Sequence, residues 1–246
     1  VAPSTTAIAS APAISTSPTI TGTAKVGSTL QATPGSWSGS PTPTVASQWM
    51  SCTSATDTST CQVITGATSR SLALTAALKS KYIRFKESAT NSAGSSDAWS
   101  SATTQVALAP QPSGTLTIAG DAKIQTKLSI ATSSTLSFDA YPTASITHQW
   151  LRCSARITTQ QSAIPTSCSA ITSATQDNYT TASDDIGKFI TLARSATNDA
   201  GSAIVVAPST TAIASAPAIS TSPTITGTAK VGSTLQATPG SWSGSP

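Results

Sequence analysis

Apolar and polar positions alternate along this chain in short runs. In Tyr82-Ile83-Arg84-Phe85-Lys86 the apolar Ile83 and Phe85 alternate with the basic Arg84 and Lys86, and Thr115-Leu116-Thr117-Ile118 repeats the pattern. Period two places alternate residues on opposite faces of a strand. Turn signals separate the runs: Pro34-Gly35, Asn91-Ser92-Ala93-Gly94 and Asn198-Asp199-Ala200-Gly201. Gly at the end of each Asn-x-Ala-Gly turn suits a hairpin, because it takes positive φ most easily. The spacing predicts an all-β chain with about seven strands per 100 residues, the pattern of a Greek-key sandwich.

The same string occurs twice. Residues 1–41 and 206–246 both read VAPSTTAIASAPAISTSPTITGTAKVGSTLQATPGSWSGSP, an offset of 205. A return this long and perfect marks a tandem array. Each period holds two diverged copies of one unit. Gln48-Trp49-Met50-Ser51-Cys52 matches Gln149-Trp150-Leu151-Arg152-Cys153, and residues 88–95 match 195–202. Gly22-Thr23-Ala24-Lys25-Val26 matches Gly120-Asp121-Ala122-Lys123-Ile124. The predicted organisation is a last strand of a preceding B-type domain over 1–10, domain A over 11–110 and domain B over 111–215. Residues 216–246 are the opening strands of a further A-type domain. The Pro-bearing segments Ala109-Pro110-Gln111-Pro112 and Ala216-Pro217 are read as short, semi-rigid linkers. The two partial pieces lack sheet partners and are not expected to fold alone.

Composition narrows the functional classes. Charged residues make up 9 % of the chain against roughly 25 % in an average soluble domain. Ser, Thr and Ala fill the difference. That leaves a disordered mucin-like stalk or a β protein with a Thr/Ser solvent face, and the periodic apolar positions favour the second. The net charge is only +4 and the cations are scattered, so nucleic acid is not an expected partner. No run of 18 apolar residues exists, so no membrane span is expected in this segment.

The motifs GTAKVGSTLQATPGSWSGSP (22–41), QWMSC (48–52), CQVITGATS (61–69) and YIRFKESATNSAGSS (82–96) resemble the bacterial Ig-like repeat domains of large secreted surface proteins, common in actinobacteria. The resemblance covers both domains and implies tandem immunoglobulin-like sandwiches in a beads-on-a-string array. Asp185-Ile186-Gly187 resembles the corner before strand F of many Ig-like domains; domain A has Leu78-Lys79-Ser80 there instead. Domain B has Ser133 to Phe138 where A has Pro-Gly-x-Trp. Trp49 and Trp150 are the expected strand C core residues, and Trp37 and Trp242 are expected to cap one end of an A-type core.

Four cysteines fall two per domain, Cys52 with Cys61 and Cys153 with Cys168, each pair starting three residues after the core Trp. Disulfides are the expected reading, and they point to an oxidising, extracellular setting. A Cys-only zinc site would need Cys-x-x-Cys pairs, and none occur. A Lys–Asn isopeptide bond, from Lys25 to Asn91 and from Lys123 to Asn198, is a sharper alternative. It needs a buried acid, which Glu87 could supply in A, but Arg194 takes that place in B. Asp184-Asp185 offers too few oxygens for a calcium site, and the single His148 has no partners for a catalytic triad. No cofactor and no enzymatic activity are expected.

The expected function is structural: an extracellular fibre, filament or adhesin stalk whose partners are neighbouring repeats and, in a filament, like chains. The alternatives are a multivalent adhesion module for a cell-surface glycan or protein, and a laterally assembled multi-chain filament. Trp99 and the basic group Lys79, Lys81, Arg84 and Lys86 are the candidate contacts. The bland reading of that group is the solvent face of one strand.

Overall fold

The structure is a computed structural model and describes residues 8–245. The chain divides into two compact units. One is built on residues 8–111, together with 139–144 and 197–201; the other takes the rest of the described residues.

Domain A contains β1 (Ser10–Thr16), β2 (Thr19–Thr21), β3 (Thr29–Thr33), β4 (Ser36–Ser40), β5 (Thr44–Cys52), β6 (Cys61–Val63), β7 (Ser71–Ala73), β8 (Tyr82–Asn91) and β9 (Gly94–Trp99). One sheet runs β2-β3-β7, the other β6-β5-β8-β9, and β1 pairs with β4. β5 pairs antiparallel with β8 along nine residues, from Thr44↔Thr90 to Cys52↔Tyr82, although β6 and β7 intervene in sequence. That crossing between sheets makes the domain a Greek-key sandwich rather than a meander. The alternation that predicted β8 is observed: Ile83, Phe85, Glu87 and Ala89 are buried, Tyr82, Arg84, Lys86 and Ser88 between them are half-exposed, and Thr90 is exposed. Leu30, Trp49, Leu72, Leu74, Ile83, Phe85 and Val106 close the core.

Domain B repeats this plan. Its strands are β10 (Leu108–Ser113), β11 (Ile118–Ala119), β12 (Lys127–Ile130), β13 (Ser137–Tyr141), β14 (Ser145–Cys153), β15 (Cys168–Ala170), β16 (Asn178–Thr180), β17 (Phe189–Asn198) and β18 (Gly201–Val206). The sheets are β11-β12-β16 and β15-β14-β17-β18, with β10 on β13. The supposed linker 109–112 is therefore part of a paired strand. Its prolines are tolerated because β10 lies at the edge of a two-stranded ladder, where missing N–H donors cost little. Ala216-Pro217 likewise lies inside β19 (Ser215–Thr221), paired with β22 (Ser241–Ser245); β20 (Thr224–Thr226) pairs with β21 (Gln236–Thr238).

The repeated string thus appears in two settings. Most of 1–10 lies outside the described residues, but the identical 206–215 completes the core of B: Val206, Ala207 and Ile213 are buried. Residues 11–41 open domain A, where Leu30 is fully buried. In the second copy the matching Leu235 is 51 % exposed and Trp242 68 % exposed. The short ladders form in both copies with the same register, Ile14↔Trp37 and Ile219↔Trp242. Local pairing is therefore written into the segment itself, whereas burial requires strands such as β5 and β7–β8.

Candidate functional site

The core tryptophans hold β5 and β14 in place. Trp49 and Trp150 are fully buried. Each indole donates to a backbone carbonyl across the sandwich, Trp49 Nε1 to Ser69 O at 2.8 Å and Trp150 Nε1 to Gln176 O at 2.9 Å. Trp49 meets Phe85 edge-on at 5.0 Å between centroids. The glutamine before each Trp serves the same end: Gln48 Nε2 donates to Ile64 O and Gln149 Nε2 to Ile171 O, both at 2.8 Å. Sequence reasoning assigned no role to this Gln, although Gln-Trp recurs in both copies.

Both cysteine pairs are disulfides, Cys52–Cys61 and Cys153–Cys168. Each joins residues directly opposite on neighbouring strands, β5 with β6 and β14 with β15. They close loops with sequence separations of 9 and 15. Constraining such loops in the unfolded chain contributes about 3 kcal/mol each.

The basic group does not form one surface. Lys79 follows a 3-10 turn, Ala76–Leu78, and its Nζ lies 2.5 Å from Asp139 Oδ1. Lys81 precedes β8. Arg84 is drawn inward: its guanidinium donates to Ser100 O at 2.6 Å and to Ala55 O at 2.5 Å. Lys86 pairs with Asp97 at 2.7 Å and sits 5.3 Å above the Trp99 ring. Lys86, and after it Ser88, hold the Asp97 carboxyl below the usual carboxylate range. Arg84 and Lys86 alternate along β8 with the buried Ile83, Phe85 and Glu87, whereas Lys79 and Lys81 lie before the strand begins. Trp99 is half-buried on β9 beneath Lys86, with its face already occupied by a cation.

The two asparagines have a use other than an isopeptide. Asn91 Nδ2 donates to Ser10 O and Pro41 O, both at 2.8 Å, while its Oδ1 accepts from Ala93 N. Asn198 repeats this with Leu108 O, Pro142 O and Ala200 N. Each asparagine ties the first residue of a domain's opening strand to a hairpin turn, β8–β9 in A and β17–β18 in B. Glu87, the proposed isopeptide acid, is instead engaged by Gly35 N and Trp37 Nε1. Trp37 is half-buried, its indole on this carboxylate rather than among the residues packed on the A core, whereas Trp242 is exposed.

Domain B carries a buried polar hub that sequence reasoning saw only as a corner motif. Asp185 is fully buried and accepts from Arg152 Nε at 2.6 Å, Tyr179 Oη at 2.6 Å and Ala182 N at 2.8 Å. Those three donors occupy both carboxylate oxygens, so this residue is committed to the fold rather than to a cation. Burial, then the Asp185 hydrogen bond and charge, pushes the Tyr179 hydroxyl up to about 12. Burial alone would lower Arg152, but its bond to Asp185 outweighs that and raises it. Domain A has Ser51, Leu72 and Leu78 at the matching positions, so one fold solves the same corner with either an ion pair or apolar packing. His148 Nδ1 lies 3.1 Å from Asp177 Oδ1. Burial lowers its pKa more than Asp177 raises it, and Arg194 lowers it further. Among the described residues no three His, Cys, Asp or Glu side chains converge to hold a metal ion, and no helix is long and apolar enough to cross a membrane.

No protein-family model matches the chain, and no curated protein does. Solved structures that it resembles include immunoglobulin domains 1–5 of Sidekick-1, at 14 % identity and TM-score 0.36 over 98 % of this chain. The N-terminal four Ig domains of Dscam1 match at 12 % identity and TM-score 0.31 over 80 %, and an I-band fragment of titin at 14 % and 0.32 over 94 %. The chain spans 46 % of the Sidekick-1 and Dscam1 structures and 77 % of the titin fragment. The strand order described above makes both domains tandem immunoglobulin-like sandwiches.

Proposed function

We propose that this chain is a segment of an extracellular structural array, a surface fibre or adhesin stalk in which A-type and B-type sandwiches alternate. The observation that carries the reading is the return of 41 residues at an offset of 205, which makes reach rather than a unique site the property that repetition multiplies. On this reading residues 216–246 begin a further A-type domain. Two disulfides fit an oxidising compartment outside the cytosol. The candidate adhesive residues favour a spacer over a binding module, because Arg84, Lys86 and Trp99 are engaged within domain A.

Electron cryomicroscopy of native surface material tests this. Strands of about ten residues at 3.3 Å span roughly 33 Å and, with the loops at either end, give a sandwich roughly 40 Å long, so a period should repeat axially near 80 Å. A stalk one sandwich wide with that repeat is the expected result. Material with no axial period near that value would overturn the reading, and the same period in a much thicker object would replace the single-file stalk with a multi-chain filament.

A further inference from the structure

An alternating array sets a pairing problem. Body B, residues 145–206, lies between two A-type opening segments, 11–41 and 216–246, as well as its own, 109–142. Tethered segments reach each other at effective concentrations in the millimolar range, and neighbouring repeats are prone to exchange equivalent strands. Something must tell an A-type opening from a B-type opening.

Glu87 is placed to do this. It lies on β8 opposite Ser47, is 1 % exposed, and is a charged group in the core of an otherwise sparsely charged chain. Its Oε2 accepts from Gly35 N at 3.1 Å and from Trp37 Nε1 at 3.0 Å. Both donors belong to the opening segment and the acceptor to the body. Gly35 is also required by space: a Cβ there would lie 2.4 Å from Thr16 O and 3.2 Å from Glu87 Oε2. The B-type opening has Leu136 and Phe138 at the matching places, and body B has Arg194 in place of Glu87. Phe138 has no side-chain N–H to offer, and Leu136 brings the side chain for which the A site has no room. A B-type opening on body A would deprive the buried Glu87 carboxylate of its indole donor and press the Leu136 side chain into the space that Gly35 leaves free, and a buried carboxylate short of donors is among the costlier defects in a fold. An A-type opening on body B would aim two N–H donors at the position of a cation; Arg194 Nε is itself buried without a hydrogen-bond partner.

We propose that Glu87, together with Gly35 and Trp37, is a segment-selecting latch that admits A-type openings to A-type bodies and excludes B-type openings. The partner it fits is any segment with Gly and Trp two residues apart on this ladder. Gly240 and Trp242 form such a pair on the same local register, with Trp242 exposed. The inference rests on the two-type repeat reading above but not on where the array is used.

The test uses the full 246-residue chain with disulfides intact. Nuclear magnetic resonance of the tryptophan indoles, assigned with W37F and W242F, should show the Trp37 N–H exchanging with solvent at least about tenfold more slowly than the Trp242 N–H. Glu87→Gln, which keeps an acceptor, should retain that protection. Glu87→Met, which fills the space without one, should abolish it while the domain B melting transition stays in place. Selection itself is read from a chimera in which the B-type opening, 109–142, replaces residues 11–41. Its first domain should lose its cooperative transition with Glu87 present and regain one with E87R. Equal exchange of the two indoles, protection unchanged in Glu87→Met, or a chimera that melts like the parent would each overturn the latch. So would a chimera that E87R fails to improve. The absence of any surface fibre would overturn the stalk and leave these results untouched.

Discussion

Single residues divide here into those that build the core and those that tie segments together. Trp49 is the largest fully buried side chain of domain A, so Trp49→Ala should destabilise that domain by about 3–5 kcal/mol and leave B unchanged, read as separate calorimetric transitions. The role of the tryptophans was legible because a lone aromatic on an alternating run has one economical place to go. Glu87, Arg152 and Asp185 were not legible in this way. Their partners lie 50, 33 and 6 residues away in sequence, and no local pattern announces a pairing that only the closed sandwich creates. His148 gives domain B its own response to pH. Its folded pKa lies below the ordinary 6.5, with burial the largest cause. The unfolded state therefore binds more protons near that value, and stability rises with pH. The stabilisation is present above pH 6.5 and is lost as pH falls through the folded pKa. Thermal denaturation between pH 7.5 and 5 should lower the melting temperature of B, and His148→Gln should flatten that slope. A lowering that persists in the variant would remove His148 from the account.

At the scale of elements the sequence was most informative about strands and least about where domains join. The alternation over 82–86 and the Asn-x-Ala-Gly turns located β8, β9, β17 and β18 because period two and positive-φ glycine are local properties; Gly94 and Gly201 both have φ of 147°. The proline-bearing separators were misread as linkers. Proline reports a missing donor, not a missing strand, and β10 and β19 pair at edges where that donor is not needed. The basic group was misread in part because Lys79 and Lys81 lie before β8 begins, so their spacing carries no strand periodicity. The cysteines were readable as pairs from their position relative to Trp49 and Trp150. That each pair lies directly across two hydrogen-bonded strands follows from the register of β5 with β6 and of β14 with β15.

In the whole molecule, on the proposed reading, each period is two disulfide-stapled sandwiches that resist extension. Its residues of low charge and its Thr/Ser-rich surfaces add little chemistry, whereas the buried tryptophans, the staples and the asparagine ties all oppose separation of strands within a domain. The direct measurement is single-molecule extension of the chain, before and after reduction. With disulfides intact, two discrete unfolding events should appear, each releasing about 300 Å for roughly 100 residues at 3.3–3.6 Å per residue. Reduction should lengthen one event by about 30 Å and the other by about 50 Å, in proportion to loops with separations of 9 and 15. A featureless extension, or a single event for both domains, would contradict the claim that this chain is an array of independent load-bearing sandwiches.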